Sequence, residues 1–412
     1  MKKVLIVGFV WPESDTTAAG SRMMQLIHFF KQKNYTITFA STASKTEYSN
    51  DLGALGVCEK KIELNHPSFD DFILNLTPDI VLFDRFLTEE QFGWRVAKKS
   101  PNAIRILDTE DLHFLRTARE IAFKNKNRTA TEVDLKAQEI TKREVASIYR
   151  CDFSLIISSY EMQLLQSSFR ISNELLLHLP FMLDTIDAAT ANNWNTFKDR
   201  NGFVCIGNGK HKPNVDAVLW LHKDIWPKIR AKLPNASVSI YGAYLPQQIK
   251  EKHNPKHGFF VEGWTKDVVG VMINAKVNLA PMRFGAGIKG KLIDAMHTGL
   301  PSVTTAIGAE GMHGNLPWNG EIAPDLERFV AAAVALYTNE ELWVDAQRNG
   351  KEIHNKYYSR TILEAELSNK ISTLQKGLQK HRNQNFIGSM LLHHTMASTK
   401  YLSKWIQVKE NK

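Results

Sequence analysis

The side chains best suited to chemistry lie in the stretch 277–311, where an apolar run ends in a glycine-rich turn and a helical pattern follows. Lys289 and Lys291 fall in the first turn of that helix, which is already positive because its amide groups are unpaired. An anion bound between the lysines and the loop amides would remove this conflict, and a phosphate or diphosphate is the usual one. The alternative is a solvated helix start with two flexible surface lysines.

The same turn is close to a nucleotide-binding P-loop, since Gly285 is followed after four residues by Gly290 and Lys291. Leu292, however, occupies the position at which a Ser or Thr hydroxyl would bind magnesium. The pattern therefore favours a phosphate site and argues against an NTPase.

Three short motifs follow the start of this helix: Asp294-Ala295-Met296, Gly299-Leu300-Pro301 and Gly308-Ala309-Glu310-Gly311. Together with the lysine-bearing turn, they resemble the donor-binding signature of glycosyltransferase family 4, in a subgroup with a Gly-Ala-Gly-Ile-Lys-Gly-Lys loop. The resemblance implies an α/β protein of GT-B fold, in which two Rossmann-like domains with parallel sheets face each other across a cleft. It also implies a retaining enzyme with a nucleotide diphosphate sugar as donor.

The family pattern has two acidic residues, of which the second binds the nucleotide ribose and the first contacts the donor sugar. By resemblance, ribose binding carries over to Asp294, whereas Ala286 stands in place of the first acid and Glu310 would supply a carboxylate instead. Lys289 and Lys291 would also act in catalysis by stabilising the leaving diphosphate. The residues expected to bind the donor are Gly20, Lys210, Arg283, Gly285, Gly287, Lys289, Lys291, Asp294 and Glu310.

A second group of polar residues follows the predicted strand 104–107. Asp111 and His113 lie beyond the carboxyl end of this strand, which is the edge at which open α/β sheets bind ligands. His113 is the candidate catalytic residue of this half, because imidazole can donate to a departing phosphate or to a sugar hydroxyl near neutral pH. The alternative is an aspartate cap followed by a histidine on the helix surface.

The first predicted β-α-β unit, 2–40, has a loop without Gly-x-Gly-x-x-Gly, which argues against a nicotinamide-dependent dehydrogenase. By resemblance, a glycine-containing loop here closes over the donor phosphate or the acceptor. Gly20 is therefore a donor candidate, and the acceptor-side candidates are Ser21, Arg22 and Asp111. Alternatively, Gly20 is an ordinary loop residue and Ser21 caps the following helix.

A second domain is predicted to open with the strand 202–206, which runs into a glycine turn containing Lys210 and Lys212. By resemblance, this turn supplies an Arg and a Lys to the donor diphosphate; the Arg is absent, and the two lysines are approximate substitutes. The predicted segments are an acceptor domain at 1–180, a linker at 181–200, a donor domain at 201–356 and helices that cross back to the first domain at 357–412.

Composition is typical of a globular protein, with 43% apolar and 23% charged residues in a chain of 412 residues that is long enough for two domains. The three cysteines lie far apart, so neither a disulfide framework nor a zinc site is indicated, and a reducing cytoplasm fits. No apolar run approaches the ~20 residues of a transmembrane helix. The net charge of +9 allows phosphate-rich substrates, nucleic acid or an anionic membrane.

The carboxyl-terminal segment combines apolar residues at helical spacing with an excess of lysine. This pattern suits a helix lying on an anionic membrane surface, and a helix packed on the first domain would give the same pattern. The apolar positions are Phe386, Met390, Ala397, Tyr401 and Val408.

No Asp-x-Asp pair occurs in the chain, so neither a metal nor another cofactor is expected beside the donor. We predict a cytoplasmic glycosyltransferase, compatible with a peripheral position on the inner face of the membrane. It would transfer a sugar to a hydroxyl of a glycan, a lipid-linked molecule or a small molecule, in cell-surface glycan synthesis and without a nucleic acid partner. The alternatives are an epimerase or hydrolase of the same fold and a non-catalytic protein that binds sugar nucleotides or glycans.

Overall fold

A computed structural model describes residues 2–126 and 128–393 and, near the carboxyl end, residues 405 and 409. These residues form two parallel β-sheets covered by helices, followed by a helical carboxyl-terminal segment. Ala397, Tyr401 and Val408 of the predicted carboxyl-terminal helix lie outside the described residues.

The strands are short and mostly apolar, as expected for strands covered on both faces. They are β1 Lys3–Gly8, β2 Thr36–Ser41, β3 Cys58–Lys61, β4 Ile80–Asp84, β5 Ile104–Asp108, β6 Phe153–Ile156, β7 Leu176–His178, β8 Phe203–Ile206, β9 Val238–Tyr241, β10 Phe259–Gly263, β11 Val277–Ala280, β12 Ser302–Thr304 and β13 Gly320–Ile322.

The helices connect successive strands or follow the second sheet. They are α1 Ala18–Gln32, α2 Ser68–Leu76, α3 Arg85–Lys99, α4 His113–Lys126, α5 Glu132–Lys136, α6 Glu139–Arg150, α7 Ser159–Ser167, α8 Ala188–Asn192, α9 Lys212–Trp220, α10 Trp226–Lys232, α11 Gln247–Lys250, α12 Val268–Asn274, α13 Gly290–His297, α14 Ala306–Ala309, α15 Leu326–Thr338, α16 Glu340–Tyr357, α17 Arg360–Gln384 and α18 Phe386–Leu392. None of these described helices has the length and apolar character needed to cross a membrane.

The first sheet has the strand order β3-β2-β1-β4-β5-β6-β7, and its strands are parallel. Val4 and Ile6 of the central strand β1 lie in the core on one face, and Leu5 and Val7 lie in the core on the other. Burial on both faces explains why β1 is a continuous apolar run.

The second sheet is also parallel, with the order β10-β9-β8-β11-β12-β13. Its strand order reverses between β8 and β11, so the turns that follow these two strands lie next to each other at the carboxyl edge. The two sheets confirm the prediction of two α/β domains.

The long helix α17 returns to the first domain after α16 has packed on the second. Leu363, Leu367 and Ile371 of α17 are buried in the core beside the first sheet. Near the end of α17, Arg382 donates hydrogen bonds of 2.7 and 2.8 Å to the two carboxylate oxygens of Asp152. These contacts tie the carboxyl-terminal segment to the first domain.

The segment 131–150 forms two helices, α5 and α6, although its sequence is typical of one continuous helix. Thr131 caps α5 and shares reciprocal hydrogen bonds with Asp134, and the backbone then breaks at Gln138, whose ψ is 135°. No glycine or proline marks this break, so the sequence contains no signal for it.

Candidate active site

The turn after β11, residues 281–289, packs directly against the first domain. Gly287 in this turn has a φ of 64°, and a Cβ at this position would lie 2.8 Å from the Cβ of Asp111. Gly285 has a φ of 151°, which side chains also rarely adopt. Glycine is therefore required here both for backbone conformation and for the close approach of the two domains.

Lys289 is the residue immediately before the first turn of α13, and its side chain is buried. Its ammonium group donates a hydrogen bond of 2.8 Å to the Gly287 carbonyl. Burial lowers the pKa of Lys289 to about 8, although the Glu310 carboxylate acts in the opposite direction. The lysine therefore remains mostly protonated at neutral pH.

Lys291 lies in the first turn of α13 and points towards the turn after β8. Its ammonium group donates a hydrogen bond of 2.7 Å to the side-chain oxygen of Asn214, and burial lowers its pKa. Within the described part of the chain, neither Lys291 nor Lys289 forms an ion pair with a carboxylate. Two positive charges thus meet the positive end of α13 without a negative partner.

Asp294 lies one turn further along α13. The residue is partly open to solvent, but the protein packed around its carboxyl group raises the pKa of Asp294 to about 7. No described residue donates a hydrogen bond to this carboxyl group or forms an ion pair with it. This is the arrangement expected of a carboxylate that binds hydroxyl groups of a ligand.

Glu310, which was expected to face the donor sugar, instead pairs with Arg119 of the first domain. Arg119 donates two hydrogen bonds of 2.7 Å to the Glu310 carboxylate and a third, of 2.9 Å, to the Gly285 carbonyl. Bidentate arginine–carboxylate pairs are strong and directional, so this contact holds the turn after β11 against α4. In this structure the Glu310 carboxylate is engaged by Arg119, and its contact with the donor stays a prediction.

Glu161 of α7 forms a second contact between the first domain and the turn after β11, and sequence analysis missed it. One of its carboxylate oxygens accepts hydrogen bonds from the amides of Gly287, at 2.8 Å, and Leu112, at 3.1 Å. Its other oxygen is buried without a partner among the described residues. Burial and the nearby Asp111 carboxylate raise the pKa of Glu161 to about 7.

His113 is the first residue of α4, whose amino terminus is capped by the Glu144 carboxylate. The imidazole Nε2 lies 3.5 Å from a carboxylate oxygen of Asp111, and the ring meets Phe86 edge to face with centroids 5.4 Å apart. Burial lowers the pKa of His113 to about 4, although Asp111 acts in the opposite direction. The imidazole is therefore neutral at physiological pH, so one ring nitrogen donates a hydrogen bond and the other accepts one.

Asp111, an acceptor-side candidate, lies between His113 and the turn after β11. Burial would raise its pKa, but the adjacent Arg116 guanidinium and His113 outweigh this effect and keep the pKa below its usual range. The carboxylate is therefore ionised, and its hydrogen bond to Arg116 fixes its position.

The turn after β8 contributes a histidine that sequence analysis did not single out. His211 is the residue immediately before α9. Burial and the nearby Arg116 lower the pKa of His211 to about 4, although Asp111 acts in the opposite direction. Lys210, predicted to bind the diphosphate, lies with its ammonium 3.4 Å from the centre of the Tyr244 ring. Lys212 is exposed and lies 3.2 Å from Glu120 of the first domain. His211 is thus the member of this turn that lies beside Asp111.

Arg283 pairs with an acidic residue of α9. Its guanidinium donates hydrogen bonds of 2.9 and 2.6 Å to the Asp216 carboxylate and lies about 5 Å from the ring centres of Phe123 and Trp220. Its contact with the donor stays a prediction.

The predicted loop candidates Gly20, Ser21 and Arg22 belong to α1, which Thr17 caps through a bond from the Gly20 amide. Ser21 is therefore not the cap, and its hydroxyl donates to the Ser14 carbonyl. Arg22 is buried in an ion pair with Asp108 and also donates to two backbone carbonyls, so it is not available to an acceptor. Gly20 is required by packing, since a Cβ there would lie 2.3 Å from the Glu13 carbonyl oxygen.

Known proteins resemble this chain in one segment of sequence and in overall structure. Residues 200–339 match the family model described as Glycosyl transferases group 1. A TarM mutant from S. aureus in complex with fondaparinux, α-GlcNAc-glycerol and UDP has a TM-score of 0.66 at 10% identity, covering 90% of this chain and 100% of that one. HepE from Anabaena, in complex with UDP and glucose, has a TM-score of 0.62 at 10% identity, covering 91% and 100%.

A third similar structure is WaaG, a glycosyltransferase involved in lipopolysaccharide biosynthesis, with a TM-score of 0.61 at 11% identity, covering 89% of this chain and 99% of that one. The chain has the GT-B fold. In this GT-B protein, the first domain contributes His113, Asp111 and Glu161, and the second contributes the two lysines of the turn after β11. No curated protein matches the sequence significantly.

Proposed function

We propose that this GT-B protein is a glycosyltransferase that moves a sugar from a nucleotide diphosphate sugar to an acceptor hydroxyl with retention of configuration. The observation that carries the proposal is the pair of ammonium groups of Lys289 and Lys291, which lack a carboxylate partner among the described residues. An anion with several oxygens, such as a diphosphate, would stabilise this concentration of positive charge. The match of residues 200–339 to group 1 glycosyltransferases supports a sugar nucleotide as the source of that diphosphate.

In this proposal, the bond between the donor sugar and the diphosphate breaks and a bond to the acceptor oxygen forms on the same face of the sugar. The hydroxyl proton of the acceptor leaves with the diphosphate. Lys289, Lys291 and the amides at the start of α13 stabilise the charge that develops on the leaving group. Asp294 accepts hydrogen bonds from the nucleotide ribose, and neutral His113 hydrogen-bonds to a sugar hydroxyl or to the departing phosphate.

The fixed positive charges at the start of α13 also support a reaction that needs no metal ion. Among the described residues, no group of three or more His, Cys, Asp or Glu side chains is arranged to hold one. The two lysines and the helix dipole would neutralise the diphosphate in place of a divalent cation.

UDP is present in the TarM and HepE structures, so UDP-sugars are the first donors to test. The involvement of WaaG in lipopolysaccharide biosynthesis supports a role for this protein in cell-surface glycan synthesis, which would be carried out in the cytoplasm. Phe386, Ile387 and Met390 of α18 are exposed apolar side chains, and they support a peripheral contact with an anionic membrane.

Nucleotide binding to lysine variants tests the proposal. Lys289→Met and Lys291→Met should each weaken binding of UDP, GDP or ADP about tenfold or more, because a hydrogen bond to a charged group contributes about 1.5–3 kcal/mol. The matched control is Lys228→Met, since the ammonium of Lys228 lies on the surface of the same domain and pairs with Glu327. Isothermal titration calorimetry measures the affinities, and unchanged affinity in both lysine variants would contradict the phosphate site.

A specific observation favours a second candidate, a protein that binds sugar nucleotides without turnover. Ala286 replaces the acid that the family uses to contact the donor sugar, and the Glu310 carboxylate is occupied by Arg119. Hydrolysis of the donor in the absence of an acceptor distinguishes the two candidates. A transferase releases nucleoside diphosphate slowly under these conditions, whereas a binding protein releases none.

A further inference from the structure

A second set of unpaired polar groups lies in the first domain, at the carboxyl ends of β4 and β5. The order of the first sheet reverses between β1 and β4, and open α/β sheets bind ligands at such positions. β4 ends at Asp84 and β5 ends at Asp108, and these two residues are partners in the register of the sheet. The residues that follow the two strand ends therefore share one edge.

Two residues at this edge have an unfavourable backbone conformation. Arg85, directly after β4, has a φ of 70°, and Glu110, two residues after β5, has a φ of 61°. Residues with long side chains rarely adopt the left-handed region, because Cβ then crowds the backbone. Such strain collects at ligand-binding and catalytic sites, where the surrounding structure maintains it.

Two buried carboxylate oxygens at this edge lack a partner. Asp84 Oδ2 accepts a hydrogen bond of 3.0 Å from the Phe9 amide, but Asp84 Oδ1 accepts none within the described residues, and neither does Glu110 Oε1. The side chains of Asp84 and Glu110 are only 4% and 9% exposed. Buried polar atoms are nearly always hydrogen-bonded in native proteins, so two unpaired acceptors at one edge indicate that a ligand supplies the donors.

An unpaired donor lies beside these acceptors. The guanidinium of Arg85 donates no hydrogen bond to any described residue, and its closest approach to Asp84 is 3.5 Å. It lies 5.2 Å from the centre of the Phe9 ring, and Phe9 is 39% exposed. The edge thus offers unpaired donors, unpaired acceptors and an exposed aromatic ring.

Comparison with Asp108 shows that the polar groups at this edge are not simply an internal ion cluster. Arg22 donates three hydrogen bonds of 2.9–3.2 Å to the Asp108 carboxylate, which leaves that pair fully engaged in the core. The polar side chains near this pair do not form comparable hydrogen bonds with one another; they belong to Asp84, Arg85 and Glu110. The two unpaired carboxylate oxygens are buried and lack a partner among the described residues.

We propose that Asp84, Arg85 and Glu110 bind the hydroxyl groups of a neutral saccharide, which is the acceptor of the proposed transferase. Adjacent sugar hydroxyls donate to the two carboxyl groups and accept from the guanidinium, while the apolar face of the sugar ring packs on Phe9. A phosphate or carboxylate ligand is disfavoured, because several acidic side chains share this edge.

The position of this edge of the sheet suits an acceptor. Phe86, next to Arg85, contacts the His113 ring, and Asp111, next to Glu110, contacts Gly287 in the turn after β11. A saccharide bound at this edge would therefore lie beside the candidate catalytic histidine and close to the donor turn. The assignment rests on the proposed glycosyltransferase function.

The protonation of Glu110 agrees with a neutral ligand. Burial and the carboxylates of Asp108 and Asp84 raise the pKa of Glu110 to about 8, while Arg85 and Arg22 act in the opposite direction. Burial also raises the pKa of Asp84. A protonated Glu110 can donate one hydrogen bond and accept another, as pairing with a hydroxyl group requires.

Saccharide binding measured by saturation-transfer NMR tests the proposal on the full-length protein, with and without UDP. The probes are the methyl glycosides of glucose, galactose and N-acetylglucosamine, with glucose 6-phosphate as the anionic comparison. Arg85→Asn and Glu110→Asn remove the binding groups while suiting a left-handed backbone, which asparagine tolerates. Arg170→Asn is the matched control, because Arg170 is an exposed arginine of the same domain with a φ of 53°.

The expected result is a signal from at least one neutral glycoside in the wild type and the control, with affinity reduced about tenfold or more in Arg85→Asn and Glu110→Asn. UDP affinity and thermal stability should remain close to those of the wild type in both variants. No signal from any neutral glycoside, unchanged affinity in both variants or stronger binding of glucose 6-phosphate would overturn the proposal. Failure of the proposed donor site would give a different result, because the wild-type protein would then bind no nucleoside diphosphate.

Discussion

The pH dependence of nucleoside diphosphate binding should report directly on Lys289. Burial lowers the pKa of this lysine to about 8, so the free protein is about nine-tenths protonated at this position at pH 7 and about one-tenth protonated at pH 9. A bound diphosphate stabilises the ammonium form and raises its pKa. Binding is therefore strongest below pH 8 and weakens as the pH rises above it, approaching a tenfold loss of affinity per pH unit.

His113 and His211 have pKa values of about 4 and do not titrate in this range, and the second ionisation of a phosphate monoester lies at about pH 6. Glu161 and Asp294, with pKa values of about 7, and Glu110, with a pKa of about 8, do titrate in it. Calorimetric titration of UDP between pH 7 and pH 9.5 should show a loss of affinity, and the part that belongs to Lys289 is the part that Lys289→Met removes. Lys289→Met should bind weakly at pH 7 and lack most of that loss, whereas Lys228→Met should retain it. A wild-type affinity that is constant from pH 7 to pH 9.5 would refute the role given to Lys289.

Two further predictions concern the reaction itself. His113→Ala should lower turnover by about 10²- to 10⁴-fold and leave nucleotide affinity nearly unchanged, because the histidine belongs to the first domain and the diphosphate site to the second. Steady-state kinetics and UDP titration check this, and wild-type turnover would exclude His113 from the reaction. Transfer activity should survive EDTA, because fixed lysines and the α13 dipole take the place of a divalent cation. Loss of activity with EDTA and its recovery with magnesium or manganese would contradict this.

Local patterns in the sequence were sufficient to predict much of the second domain. β11, the glycine turn and α13 are contiguous in the chain, so apolar periodicity and turn residues identify them without knowledge of the tertiary structure. Lys289 and Lys291 lie at the helix start for the same reason. The two parallel sheets also follow from the alternation of short apolar strands with helices.

Contacts between distant parts of the chain were not predicted. Arg119 and Glu310 are separated by 191 positions, and Glu161 is separated from Gly287 by 126, so no local pattern relates them. Arg22 was misassigned because α1 begins at Ala18, earlier than the glycine suggested, which places Arg22 beside Asp108 in the core.

The group of polar residues at the ends of β4 and β5 also escaped sequence analysis. Asp84 and Glu110 are ordinary acidic residues in the sequence, and only the neighbouring positions of β1, β4 and β5 bring them together. The left-handed backbone at Arg85 and Glu110 carries no sequence signal, since neither residue is a glycine or an asparagine. These features require the tertiary structure.

The most direct test of the central claim is a transfer reaction with UDP-glucose, UDP-galactose and UDP-N-acetylglucosamine as donors and neutral methyl glycosides as acceptors. Proton NMR of the mixture follows both the release of UDP and the anomeric configuration of the product. The account predicts UDP release that depends on the acceptor and a product with the α configuration of the donor. A β-linked product would contradict the retaining mechanism, and the absence of UDP release from any donor would contradict transferase activity with these substrates.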